Sequence, residues 1–146
     1  YDVKGRKYIN SPLKIYFEDT GLRNARLNFR QNEENHIMEN IIYNELRIRG
    51  FNVDVGIVEV SDKAKKKQLE IDFIATKGSE KFYVQSAFAM PTEDKEQQEI
   101  RPLKAVKDSF KKIVIVRDNI KIRRDENGIT TMGIKNFLLD ENSLLL

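Results

Sequence analysis

The 146-residue sequence predicts an α/β domain with a mixed central sheet flanked by helices, and three observations carry that prediction. Between Asn32 and Arg49, the residues Ile37, Met38, Ile41, Ile42, Leu46 and Ile48 recur with the period of a helix that buries one side. Three segments with strand-like alternation follow between Asn52 and Phe88. After a second helical stretch, Ile113-Val114-Ile115-Val116 is apolar at every position, the pattern of a strand covered on both faces.

Taken in order, Lys7 to Phe17 reads as an extended segment, with Pro12 confining it to an edge, and Glu18-Asp19-Thr20-Gly21 as a polar turn. A short helix from Gly21 to Asn28 precedes the long helix, which Gly50 stops and onto which Phe51 packs back. The strands are Asn52 to Val60, with Val53, Val55 and Ile57 on one face and Val58 out of phase, then Leu69 to Thr76 and Lys81 to Phe88. Ser61 to Lys67 reads as a basic loop between the first two, and Lys77-Gly78-Ser79-Glu80 as a hairpin turn between the second and third. A helix from Glu93 to Phe110 is acidic at its start and basic at its end, as the helix dipole favours, and Pro102 implies a kink within it or a start there. Ile120 to Arg123 and Ile129 to Met132 flank the turn Asp125-Glu126-Asn127-Gly128, and Ile134 to Leu139 closes the chain as a helix. The expected sheet is built from the Asn52, Leu69, Lys81 and Ile113 strands, with the Asn32 helix on one face and the Glu93 helix alongside.

Composition narrows the chemistry. With 8 Phe, 5 Tyr and 40% hydrophobic residues the chain can build a core, and without repeats or a Pro/Gly-rich linker it reads as one compact unit. Zero Cys excludes disulfides, thiolate nucleophiles and Cys-based zinc sites, and makes a cytoplasmic setting the expectation. The single His36 leaves no His cage and reads as a surface or first-turn residue. A net charge of +3 is compatible with an acidic partner without identifying one, and no apolar run approaches a membrane span. The start, Tyr1-Asp2-Val3-Lys4, has neither a signal peptide's apolar region nor an initiator Met, which reads as a piece of a longer chain. No Gly-x-x-x-x-Gly-Lys loop, Gly-x-Ser-x-Gly elbow or His-Glu-x-x-His helix occurs, so any ATPase activity would belong to a preceding portion.

What remains open is carboxylate chemistry on a divalent cation, which needs acidic ligands converging on the ion and a Lys to orient or activate water. Glu39 lies at the edge of the first long helix's apolar stripe, either as a surface carboxylate or pointing toward the sheet. Asp72 interrupts Leu69-Glu70-Ile71-Asp72-Phe73-Ile74, where a carboxylate is costly unless paired, protonated or bound to a cation. Glu45, near the middle of the apolar face, reads as the partner of an Arg in a buried ion pair.

Glu39 to Leu46 ending at Gly50-Phe51, followed by Glu70-Ile71-Asp72-Phe73-Ile74 and Tyr83-Val84-Gln85-Ser86, resembles the PD-(D/E)xK nuclease superfamily, with spacings similar to archaeal Holliday-junction resolvases. More narrowly, Lys14 to Ala25 with the Glu39-Asn40 helix and Glu70 to Phe73 resembles the C-terminal domain of unknown function, of the 4143 type, that follows an AAA-type ATPase module in bacterial and archaeal proteins. This resemblance runs from about Tyr8 to Leu139. It implies a restriction-endonuclease-like fold over 31–146, with residues 1–30 as the remnant of a preceding ATPase or winged-helix linker region. It also implies Glu39, Asp72 and Gln85 as the catalytic positions, active or vestigial, and Glu39 and Asp72 as ligands of a Mg²⁺ if the site is active.

The superfamily pattern places Asp before Glu-x-Lys on the next strand, but here Gln85 stands at the Glu place and Ala87 at the Lys place. An amide brings no charge to a cation and alanine cannot replace an ammonium, so Lys81 or Lys95 would have to reach in from elsewhere. The expectation is therefore a module that no longer cleaves and serves nucleic-acid binding or protein contacts. An active Mg²⁺-dependent nuclease and a pure protein-interaction domain are the alternatives. Partners expected on this reading are the ATPase module of the same chain and nucleic acid. The latter would be bound through Lys63, Lys65, Lys66, Lys67, Lys111 and Lys112, with Arg123 and Arg124, if these share a face.

Overall fold

A computed structural model describes residues 14–30, 33–62 and 65–146. Helices α1 (Thr20–Arg26) and α2 (Glu34–Ile48) are followed by β1 (Asn52–Asp62), β2 (Lys65–Lys77), β3 (Glu80–Ala87) and α3 (Glu93–Ala105). Then come β4 (Lys111–Val116), β5 (Arg123–Arg124), β6 (Ile129–Gly133), α4 (Ile134–Leu139) and a 3₁₀ turn at Ser143–Leu145. The six strands form one mixed sheet in the order β1-β2-β3-β4-β6-β5. β1, β2 and β3 are antiparallel neighbours, β4 joins β3 in parallel and β6 joins β4 in parallel, with β5 returning antiparallel at the edge. The sheet is thus wider than the expected four strands, because β6 continues it beyond β4. β4 is accordingly an interior strand, which explains why Ile113 to Val116 carry no polar side chain.

Each face carries its own core. Met38, Ile42 and Leu46 of α2 pack on Phe73, Ala75, Phe82, Val84, Ile113 and Ile115. On the other face, Ile100 and Leu103 of α3 pack with Ile71, Ile74, Tyr83, Val114 and Val116. Ile48, counted above with the apolar stripe, is instead 78% exposed, since six residues beyond Ile42 it has rotated away from the sheet. Gly50 does stop α2, with φ at +85°, and Phe51 packs edge-on to Phe82 at 5.6 Å between centroids.

Three further expectations are corrected. The segment 61–67 is not a basic loop: Ser61 pairs with Lys66 and Asp62 with Lys65, so both strands stay paired as far as these residues, while residues 63–64 lie outside the described set. The helix expected from Glu93 to Phe110, α3, ends at Ala105, because Val106 is already extended, and it continues through Pro102 for three residues. The late hairpin is abbreviated, with two residues in β5. Among the described residues no helix is long and apolar enough to cross a membrane.

The detail that matters most for chemistry is a register shift between β1 and β2. Asp54 faces Ile74 and Gly56 faces Ile71, so β2 spends two residues, Asp72 and Phe73, opposite Val55 alone. This bulge reverses the strand's phase: Ile71 and Ile74 share the α3 face, while Phe73 joins the α2 core. Gly56 makes room for it, since a Cβ there would lie 2.8 Å from Ile74 Cδ1 and 3.2 Å from Ile71 Cβ. Gly56→Val is therefore expected to overpack the bulge and destabilise the chain by about 1–3 kcal/mol, read as a lower midpoint in urea denaturation. An unchanged midpoint would refute this account of the bulge.

Candidate functional site

Across the bulge Asp72 and Phe73 both face α2, and three carboxylates meet there. Glu39 comes from the middle of α2, and Glu70 and Asp72 lie two residues apart on β2, hence on one side of the strand. Lys14 Nζ stands between them, 2.8 Å from Glu39 Oε1, 2.5 Å from Glu70 Oε1 and 3.2 Å from Asp72 Oδ1. Tyr16, on the same side of the extended arm as Lys14, donates its hydroxyl to Glu39 Oε1 at 2.7 Å. The other Asp72 oxygen, Oδ2, accepts the Ser86 N–H at 2.9 Å.

The arm is fastened along α2. Asn40 is buried, and its amide accepts the Phe17 N–H at 2.8 Å and donates to the Phe17 carbonyl at 2.7 Å, as a neighbouring strand would. Asn44 donates to the Phe17 and Glu18 carbonyls. The Tyr16 ring stacks on Tyr43 at 4.3 Å between centroids. Beyond the arm, Asp19 caps α1 by accepting the Leu22 N–H. A cavity of about 320 Å³ opens beside Lys14, Tyr16 and Glu39, lined also by Arg23, His36 and Asn40.

Burial and pairing set the protonation states. Burial alone would depress the Lys14 ammonium, but hydrogen bonds to Glu39 and Glu70 and the charge of Asp72 outweigh it and hold the pKa above the ordinary lysine value. Burial, followed by the hydrogen bond to Glu39, keeps the Tyr16 hydroxyl protonated far beyond the usual range, which makes it a permanent donor. At Asp72 burial dominates, pushing the carboxyl up to about 6, with the nearby Glu39 charge adding to it while Lys14 and the Ser86 N–H oppose it.

The sequence-derived site residues divide accordingly. Glu39 and Asp72 do converge, on a lysine that the sequence reading had not singled out. Gln85 is buried and its Oε1 accepts the Asp72 N–H at 3.4 Å, the role of a strand amide. Ala87 is part of the α3-side core. Neither Lys81 nor Lys95 supplies the ammonium: Lys81 lies 3.7 Å from Asp108, and Lys95 pairs with Glu99 at 2.6 Å. Glu45 forms its ion pair with Arg49 at 2.8 Å, and His36 is exposed beside Glu33. Lys14, Tyr16 and Glu70 were legible only as spacing: Lys-x-Tyr on an extended arm and Glu-x-Asp on a strand each present both side chains to one face.

The arrangement does not suit the Mg²⁺ that the nuclease resemblance implies. That ion needs oxygens near 2.0–2.1 Å around an open centre, whereas here the centre is filled by Lys14 Nζ. Among the described residues no group of three or more His, Asp or Glu side chains is set to hold a metal ion.

The basic residues are dispersed. Lys66 and Lys67 are exposed near the β1–β2 turn, Lys66 lying 4.0 Å from Glu59; the Lys65 side chain and all of Lys63 lie outside the described set. Lys111 donates to the carbonyls of Leu145 and Leu146, and Lys112 to that of Asp108. Lys112 is opposite Tyr83, which is opposite Ile74, so eight residues of β2, about 26 Å at the usual strand rise, separate its level from Lys66. Arg123 holds Glu96 through both carboxylate oxygens, and Arg124 donates to the Gly128 carbonyl.

The elevated Asp72 carboxyl fixes a pH signature. Its folded value lies above the unfolded one, near 4, so the folded state binds the extra proton and this group's contribution to stability falls as pH rises from about 4 to about 6. A carboxyl-carbon NMR titration is expected to place the Asp72 midpoint near 6, and Lys14→Met is expected to move it further up by removing the opposing charge. A midpoint near 4 in the wild-type chain would contradict the burial described here.

Two comparisons bear on kinship. An uncharacterized protein of Haemophilus influenzae is 34% identical over 139 residues, which covers 95% of this chain and 32% of that protein. The chain thus spans about a third of the length of the relative it matches. A family model described as "Domain of unknown function (DUF4143)" matches residues 34–137, from the first residue of α2 into α4. Most of the sheet and both of its cores lie in that span, and the chain belongs to the DUF4143 family.

Proposed function

We propose that this chain is a nuclease-fold module that does not cleave and acts through contacts with protein, chiefly with an AAA-type ATPase module of the same longer polypeptide. One observation carries the reading: the focus of Glu39, Glu70 and Asp72 is occupied by the ammonium of Lys14. Water activation beside a metal needs a cation that is free to meet substrate, and this ammonium is neutralised by its own carboxylates. The strand that would bear the Glu-x-Lys pair offers instead an amide engaged with the Asp72 backbone and an alanine in the core. Helices on both faces of a mixed sheet and the order of elements are compatible with a restriction-endonuclease-like fold, a likeness that carries no activity by itself.

Protein contact is favoured over tracking a phosphate backbone because the basic side chains sit at opposite ends of the sheet and several are spent on local carbonyls or carboxylates. A nucleic-acid groove gains affinity from adjacent, unpaired cations. The relative's length, about three times the matched region, is consistent with a module that operates inside a larger protein.

Incubated with Mg²⁺ or Mn²⁺, the purified chain is expected to leave linear and branched DNA and RNA intact. Cutting that disappears in Asp72→Ala would overturn the reading. In gel retardation the chain is expected to show no salt-sensitive DNA shift; a shift abolished by changing Lys65, Lys66 and Lys67 to Glu would transfer the function to nucleic-acid binding.

A further inference from the structure

We propose that the N-terminal arm is exchangeable: Lys14 to Phe17 of one chain take the same seat on a second copy of the chain, so that two copies pair by trading arms about a two-fold axis. The inference goes beyond the protein-contact reading and does not rest on it, since it is argued from the arm's attachment and from the hinge that follows.

The seat recognises the arm and not the chain that carries it. Lys14 meets Glu39, Glu70 and Asp72, the Tyr16 ring stacks on Tyr43, and the Phe17 N–H and carbonyl meet the Asn40 amide. All of these partners lie on α2 or β2, which follow α1 in sequence, so the arm of a second copy makes the same set of contacts at the same distances. Little else holds the arm down. α1 buries no residue, and Ile15 and Leu22 face solvent. Polar contacts of this kind exchange with water at lower cost than a buried apolar face does.

The hinge supplies the driving force. α1 ends at Arg26, and Asn28 and Phe29 then follow with φ at +50° and +55°, two side-chain-bearing residues in succession in the left-handed region. Asparagine tolerates that conformation, but a phenylalanine there is strained. The turn folds back on α1, with the Phe29 N–H donating to the Asn24 carbonyl at 2.8 Å and the Arg30 N–H to that of Leu27 at 3.1 Å. Straightened, the stretch from Leu27 to Glu33 spans roughly 23 Å and both residues regain ordinary φ. A short hinge under strain favours exchange between copies. Phe29 is also 65% exposed and Leu27 faces solvent, so two hinges passing about the axis bring together apolar side chains that a single chain leaves in water. The pair thus keeps every contact of the seat, sheds strain in two hinges and gains an apolar contact; against this stands the entropy of association, which concentration offsets.

The test uses the 146-residue chain alone. Isotope-labelled and unlabelled portions are unfolded together in urea, refolded together at high concentration, and the dimer is separated by gel filtration. The expected result is a dimer fraction that rises with concentration. In an isotope-filtered NOE spectrum, the Tyr16 ring of one copy is expected to touch the Tyr43 ring of the other, since the two centroids lie 4.3 Å apart in the seat. Phe29→Gly is expected to raise the dimer's Kd at least about tenfold over Phe29→Ala, because both lose the ring but only glycine adopts the left-handed turn without strain. A chain that stays monomeric at every concentration overturns the proposal. So does a dimer whose Tyr16 and Tyr43 contacts all fall within one copy, and so does equal dissociation of the two Phe29 variants. Cleavage and gel-retardation assays bear on the proposed function alone, so failure of either can be told from failure of the other.

Discussion

β2 carries one residue more than β1 between Ile71 and Ile74, and the interior charges depend on where that residue falls. Asp72 follows Ile71 in ordinary alternation and faces α2, and the extra residue then turns Phe73 to that same side while Ile74 returns to α3. One sheet face thereby receives both a ring for its core and a charge for its rim. Gly56 permits the crowding of Ile71 and Ile74 that results on the opposite face.

Once Asp72 faces α2, the rest of the site follows from charge balance. Three carboxylates within reach of one point repel each other, and a single ammonium with a tyrosine hydroxyl and a backbone N–H offsets part of that repulsion. Gln85 falls on the side of β3 that Tyr83 and Ala87 share, and its neutral amide accepts the Asp72 N–H. A lysine at position 87 would have to bury its charge in the α3-side core, where Ala87 now packs with Tyr83 and Val116.

Periodicity made α2, β3 and β4 legible in the sequence, because each has a dry face whose side chains repeat with the element's own period. Gly50 and Phe51 marked the end of α2 for the same local reason. The Glu39 and Asp72 positions were legible as polar breaks in apolar patterns. What escaped was non-local. Lys14 is 58 residues from Asp72, and nothing in the arm's own pattern marks it as a partner. The bulge was hidden because Leu69, Ile71 and Phe73 alternate correctly on paper, and the phase change is visible only once β1 supplies the opposing register. The basic residues misled in the opposite way: closeness in sequence suggested one loop, while pairing drew Lys65 to Lys67 into a strand far from Lys111 and Lys112.

An arm held by polar groups gains specificity from the very contacts that contribute little net stability. Buried ion pairs exchange solvation for attraction at roughly even terms, so the Lys14 network is weak as glue. It is strong as a register mark. Lys14 and Tyr16 point inward while Ile15 and Phe17 point outward, and the Phe17 N–H and carbonyl must meet the two ends of one asparagine amide. Slipping the arm by one residue would bring Ile15 to three carboxylates and turn the lysine to solvent, breaking all of these contacts together. The arm therefore has one seat on α2, with Lys14 between the three carboxylates.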